Sequence, residues 1–256
     1  MTLSDHGLEL EKAGDWDGAI ADETKAIELK PGLALAWARR GFERGQRGDI
    51  EGEVGDATKA LELDPGLALA WADLGFAKRS RGDWEGVIAD LTRAIELDPG
   101  FALAWTERGH ARGQMGDLDG KIADETKAIE LDSRLPWAWL RRGEARGQKG
   151  DHMGEIDDLS KAIELDPKLA LAWAVRGTAR GRKGDMDGKI ADETKAIELA
   201  PRLAQAWANR GEARIRKGDR DGAIADLERF LELAPGGVEA PTVRAMIAEL
   251  KAKLGH

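Results

Sequence analysis

Residues 34–67 read ALAWARRGFERGQRGDIEGEVGDATKALELDPGL, and residues 68–101 read ALAWADLGFAKRSRGDWEGVIADLTRAIELDPGF. The second string is the first with substitutions, and the frame holds along nearly the whole chain. Trp37, Trp71, Trp105, Trp139, Trp173 and Trp207 are each 34 residues apart. A Gly follows each Trp four residues on, as at Gly41 and Gly211, and Gly-Asp follows at eleven and twelve, as at Gly48-Asp49 and Gly184-Asp185. Each unit closes with an apolar-Glu-Leu ending such as Ile163-Glu164-Leu165. One unit earlier, Leu3 takes the Trp position, and Gly7, Gly14-Asp15 and Ile27-Glu28-Leu29 keep the phase. A sustained period of this length marks stacked supersecondary units, not one globular core.

Within a unit the pattern predicts two helices, about Ala34 to Gln46 and about Ile50 to Leu63 in the second unit, with Gly-Asp as the joint. Asp49 and its equivalents are placed to cap the second helix by accepting a backbone N–H, and an acid such as Glu51 or Asp119 in the first turn suits the helix dipole. Pro31, Pro65, Pro99, Pro167, Pro201 and Pro235 then stop each second helix, since proline lacks the donor and restrains its predecessor. Two short amphipathic helices cannot bury both apolar faces alone, so each pair must stack on its neighbours. The predicted fold is all-α: seven stacked helix-turn-helix repeats at 1–33, 34–67, 68–101, 102–135, 136–169, 170–203 and 204–237, with a capping helix in 238–256. In that last segment Val243, Met246, Ile247, Leu250 and Leu254 share one helical stripe.

Hydrophobic residues make up 42% and charged residues 34%, a soluble composition with enough apolar surface for a core. The 48 acidic and 39 basic residues are mixed along the chain, so no basic tract offers a footprint for nucleic acid. Cysteine is absent, which removes disulfides, thiolate metal sites and a cysteine nucleophile. Met1 to Leu10 has no leader pattern, and nothing approaches the roughly 20 apolar residues of a membrane span. The cytoplasm is the default compartment on this reading.

These residues resemble the tetratricopeptide repeat (TPR) family: Trp, Gly four on, Gly-Asp at the turn, Ala late in the second helix (Ala60, Ala94, Ala128, Ala162, Ala196) and Pro after it. The resemblance implies a right-handed superhelix whose first helices line a groove for peptides or partner proteins. The family's carboxylate clamp of Lys and Asn is not matched, because the corresponding positions are mostly Leu, Ala, Thr, Phe and Glu. The string Ala-Asp-Glu-Thr-Lys-Ala-Ile-Glu-Leu recurs unchanged at 21–29, 123–131 and 191–199, as recent duplication or deliberate consensus design would leave it, and the irregular substitutions elsewhere favour duplication.

Several positions depart from the family pattern. Seven residues after Trp, where the family places an aromatic, stand Arg44, Lys78, Arg112, Arg146, Arg180 and Arg214. A cation there needs a partner or a path to water. Glu53 and Glu155, and Glu125 and Glu193 one turn beyond Lys121 and Lys189, are the expected partners in a ladder of ion pairs. Lys78 faces Val87 and Leu91, and Arg214 faces Ala223 and Leu227, so those two are expected to lack one. Gly45, Gly113, Gly147 and Gly181 serve either close helix packing or a groove floor kept bare. Asp-x-Asp-Gly at Asp15, Asp117, Asp185 and Asp219 is better explained by capping than by calcium, because the later ligands of a calcium loop are missing.

The expected partner-binding groove comprises Phe42, Phe76, His110, Trp137, Leu140, Glu144, Arg182, Glu212 and Arg216, apolar toward the N-terminus and charged toward the C-terminus. Trp137 takes a position held elsewhere by Leu35, Leu69, Leu103 and Leu171, at the irregular junction where Ser133 replaces Pro and Pro136 precedes the next helix. It is either a binding anchor or drift packed on Pro136. No enzyme, cofactor or metal site is expected: His6, His110, His152 and His256 share no metal spacing, and Ser4, Ser80, Ser133 and Ser160 lack a nearby His or nucleophile elbow. The leading reading is a scaffold for a protein or peptide, with no nucleic acid and no membrane. The alternative is a structural protein that self-associates through its ends.

Overall fold

The computed structural model describes residues 14–252, so the expected first helix of the first repeat, with Leu3 and Gly7, and Leu254 of the capping stripe lie outside the described residues. Described residues form helices throughout. α1 (Trp16–Leu29) is the second helix of the first repeat. Six pairs follow: α2 (Ala34–Gln46) with α3 (Ile50–Leu63), α4 (Ala68–Arg79) with α5 (Trp84–Leu97), α6 (Ala102–Gln114) with α7 (Leu118–Leu131), α8 (Pro136–Gln148) with α9 (His152–Leu165), α10 (Ala170–Arg182) with α11 (Met186–Leu199), and α12 (Ala204–Lys217) with α13 (Arg220–Leu233). α14 (Ala240–Ala252) ends the series. The chain divides into two compact units between Ser133 and Arg134, the junction where the repeat loses its proline.

The turn inside each pair explains two of the periodic glycines. Gly48 and Gly116 have φ of 82° and 81°, a left-handed conformation that costs an L side chain roughly 1–2 kcal/mol. Gly52 N–H donates to the Asp49 carboxylate at 2.9 Å, and the same cap recurs at Asp15, Asp83, Asp117, Asp151, Asp185 and Asp219. A Cβ on Gly52 would lie 2.1 Å from Asp49 Oδ2 and 2.8 Å from Arg44 Cδ, so the side chain is omitted to admit the cap and the passing arginine. The Asp-x-Asp-Gly strings are thus used as caps.

Between pairs, small residues set the spacing. Ala36, Ala70, Ala104, Ala138, Ala172 and Ala206, each one residue before Trp, are fully buried, as are Ala60, Ala94, Ala128, Ala162 and Ala196. Ala60 packs with Ala70 of the next repeat and Ala196 with Ala206, so neighbouring helices approach with little side chain between them. The proline that follows each second helix has a further role. Trp37, Trp71, Trp105, Trp173 and Trp207 donate Nε1–H to the carbonyls of Pro31, Pro65, Pro99, Pro167 and Pro201 at 2.9–3.1 Å. In the second unit α14 buries Val243, Ile247 and Leu250 on Leu227 and Phe230 of α13, covering the last apolar face.

The ion-pair ladder exists with different partners from those expected. Arg44, Lys78, Arg112, Arg146, Arg180 and Arg214 reach Asp56, Asp90, Asp124, Asp158, Asp192 and Asp226 at 2.6–3.0 Å, so Lys78 and Arg214 are paired too. Each of these acids lies three residues beyond the position of Glu53, and hence one helical turn away on the face toward the cation. Five of them take a second guanidinium. Arg40, Arg108, Arg142, Arg176 and Arg210 grip them by parallel bonds of 2.7–2.9 Å, and lie 4.7–5.0 Å from the ring centroid of the Trp three residues before. Arg40, Arg108, Arg176 and Arg210 also donate to Thr24, Thr92, Ser160 and Thr194 of the preceding repeat, tying pair to pair.

Candidate functional site

The glycines eight residues after Trp answer to the helix opposite. A Cβ on Gly45 would lie 2.5 Å from Glu53 Oε1, on Gly113 2.8 Å from Lys121 Cδ, on Gly147 2.4 Å from Glu155 Oε1, and on Gly181 2.6 Å from Lys189 Cδ. Each glycine vacates the volume that a long charged side chain fills. Where the facing residue is short, Val87 or Ala223, the first helix carries Arg79 or Ile215 instead. The glycines therefore serve packing across the pair, and the bare groove floor is filled by the partner helix.

In the first unit the first helices α2, α4 and α6 border an open recess. Phe42, Phe76 and Leu103 wall it, Arg79 and Ser80 stand at its side, and Glu53 and Glu107 line it from buried positions. Phe42 is half-buried and meets Trp16 edge-on, with ring centroids 6.2 Å apart. Arg79 donates to Glu107 at 2.7 Å. Glu53 is only 3% exposed, and burial pushes its carboxyl up to about 7, with Arg79 opposing that rise and Asp49 adding to it. Asp73 on α4 is fully buried and unpaired among the described residues; burial, then the nearby Glu53, raise its carboxyl well above the ordinary range.

The remaining expected groove residues are spread over both units. His110 is half-buried in the first unit, its ring edge-on to Trp84 with centroids 5.7 Å apart. In the second unit Trp137 is 49% exposed, and Leu171 is exposed at the equivalent place one repeat later on α10. Glu144 is half-buried on α8. Arg182 Nη1 donates to both oxygens of Glu155, at 3.1 and 3.2 Å. Glu212 accepts from Lys189 at 2.8 Å and from Arg216 at 3.0 Å; the Lys189 hydrogen bond is the main cause that holds its carboxyl below the ordinary value. Leu140 is a correction: it is 1% exposed, packed on Leu159, Ala162 and Leu169, and so faces no groove. One residue along a helix turns a side chain through about 100°, which carries the residue after Trp139 to the core side.

Phe42 and Phe76 are thus the two expected residues that share a recess, together with Leu103, Glu53, Arg79 and Glu107, which the groove reading had not included. The signal for them lay in comparing repeats position by position: Glu53 and Glu155 are equivalent, and so are Ser80 and Arg182. Among the described residues no cluster of His and acids could hold a metal, and no helix is long and apolar enough to cross a membrane.

Residues 204–236, the seventh repeat, match the family model described as tetratricopeptide repeat. No curated protein sequence matches the chain. Solved structures similar to it include the APC/C hetero-tetramer Cut9-Hcn1, with a TM-score of 0.77 and 19% identity over 96% of this chain and 48% of that one. The chain spans about half the length of that relative. PilF of Pseudomonas aeruginosa gives a TM-score of 0.75 at 17% identity, over 83% of this chain and 97% of that one. YrrB, a TPR protein with an unusual peptide-binding site, gives 0.61 at 20% identity, over 72% and 95%. At these identities the likeness is one of fold.

Proposed function

We propose that the chain, whose seventh repeat matches the tetratricopeptide repeat model and whose fold is shared with solved proteins of that kind, is a non-catalytic scaffold that holds a segment of a partner protein against the first helices of its N-terminal unit. Proteins of this family generally mediate protein–protein interactions, and YrrB is described as having a peptide-binding site. The observation that carries the reading is the recess bordered by Phe42, Phe76 and Leu103. Leu103 remains exposed there, and beside the two phenylalanines it leaves apolar surface open to a ligand. Trp137, half exposed on α8, is a second anchor of the same kind within the C-terminal unit. Glu144, Arg182, Glu212 and Arg216 add charged contacts there, with Arg182 and Glu212 already engaged in ion pairs.

Peptides selected on the full chain by display supply the test, with affinity measured by calorimetry. Phe76→Ala is expected to weaken a peptide seated in the N-terminal recess about tenfold or more, equivalent to roughly 1.4 kcal/mol. Affinities unchanged by both Phe76→Ala and Trp137→Ala would defeat the reading.

A further inference from the structure

Glu53 and Glu155 occupy the same position of two repeats, and each carboxylate lies over the glycine eight residues before it, Gly45 or Gly147. Their surroundings differ at several positions, among them Arg79 where the other repeat has Gly181, and two of the differences decide what bonds to the carboxylate. Glu155 receives the guanidinium of Arg182 at 3.1 and 3.2 Å, and its oxygen lies 3.1 Å from His152 Nδ1. Around Glu53 the corresponding positions hold Ser80 and Ile50, and among the described residues no donor is hydrogen-bonded to its carboxylate. The arginine one residue earlier, Arg79, is bonded to Glu107 instead. The fold therefore contains, in α9 and α10, a built example of what this carboxylate receives, and in α3 and α4 the same carboxylate with its place open.

We infer that the recess of the N-terminal unit takes an arginine side chain of the partner segment, its guanidinium on Glu53 where Arg182 stands on Glu155, its stem between Phe42, Phe76 and Leu103. This rests on the proposed peptide-binding role and names its ligand chemistry. Arginine fits better than lysine, because a flat, weakly hydrated guanidinium packs on aromatic walls while it donates to a carboxylate. The formal net charge of the chain, −9, also favours a cationic ligand over an anionic one.

The test uses the full chain and two acetylated, amidated heptapeptides, Ala-Leu-Ala-Arg-Ala-Leu-Ala and a twin with citrulline for arginine. Binding is followed by the amide shifts of Gly45 and Ser80. At pH 8 the arginine peptide is expected to bind about tenfold or more tightly than its twin. The groups facing Glu53 are Asp49 on its own helix, Arg44 on α2 (paired with Asp56), Arg79 and Asp73 on α4, and Glu107 on α6. Its carboxyl titrates at about 7, so the preference is expected to shrink at pH 6, where the acid is protonated. Ser80→Arg, at an exposed position, copies the Arg182 arrangement into this repeat and is expected to remove the preference. Twins that bind alike at pH 8 would overturn the arginine assignment while leaving a peptide groove in place. A preference that survives Ser80→Arg would overturn it as well. Binding by neither peptide at millimolar concentration also overturns it, and the display experiment then decides the wider reading by itself.

Discussion

Arg108 holds Asp124 by two parallel hydrogen bonds, Nη2 to Oδ1 at 2.7 Å and Nε to Oδ2 at 2.9 Å, while its guanidinium lies 4.7 Å from the Trp105 ring centroid. Both partners are buried, and Arg112 reaches the same carboxylate at 2.9 Å. One acid therefore fixes two cations and, through the stacked guanidinium, the tryptophan that defines the repeat. Charge-assisted, bidentate pairs of this kind confer geometric definition as well as energy.

Removing that acid strands a buried cation. Asp124→Ala is expected to lower unfolding free energy by about 3–5 kcal/mol in urea titrations. Arg108→Leu should cost less, because Leu74 already stands at the equivalent place in the third repeat, where Lys78 serves Asp90 at 2.6 Å. Equal losses from the two variants would argue against the pair as the source of stability.

The glycines should separate by conformation. Gly116 has φ of 81°, and Gly116→Ala is expected to cost about 1–2 kcal/mol. Gly55 is exposed inside α3 with nothing within 4 Å of an added Cβ, so Gly55→Ala is expected to gain up to about 1 kcal/mol. Melting temperatures that moved the same way in both variants would contradict this assignment.

Stability should fall as pH rises through neutrality, in part because of Glu193. Burial raises its carboxyl from 4.5 to about 8, against the lowering effect of the Asn209 hydrogen bond at 2.9 Å. The folded chain thus binds this proton more tightly than the unfolded one, so the contribution is full below 4.5 and is lost as pH climbs through about 8. Glu193→Gln keeps a neutral side chain in place and is expected to reduce the drop in melting temperature between pH 5.5 and 8.5. An unchanged drop would remove Glu193 from the account.

Val243 of α14 is buried among Leu227, Phe230 and Ile247. Val243→Asp should uncover that face, with a loss of about 3 kcal/mol from lost apolar burial and a desolvated charge. Circular dichroism melts and light scattering report it, as a lower melting temperature together with self-association. A variant that melts like the parent would mean that α14 contributes little to the fold.

Helix limits were readable because their determinants are local. Asp49 caps, Gly48 turns and Pro65 stops, and α2 and α3 run from Ala34 to Gln46 and from Ile50 to Leu63, as the pattern predicts. Ion partners were harder, because they depend on which face of one helix meets another. Glu53 and Asp56 are both acids on α3, yet only Asp56 is turned to Arg44, while Glu53 lies over Gly45. The clue was present: Asp22, Asp56, Asp90, Asp124, Asp158, Asp192 and Asp226 keep one residue type where neighbouring positions vary. Leu140 was misread for a related reason, as its equivalents Ala38, Ala72, Ala174 and Ala208 are small and their buried side is hidden from a hydrophobicity pattern. The recess depends on the conjunction of Ser80, Ile50 and Glu53, which no single repeat reveals.

The exchange of bulk between Gly45 and Glu53, Arg79 and Val87, or Ile215 and Ala223 also limits how such a chain could have grown. A recombination event that joined the front half of one unit to the back half of another would set isoleucine against lysine, or leave a hole beside glycine. Inheritance in whole cassettes avoids both faults.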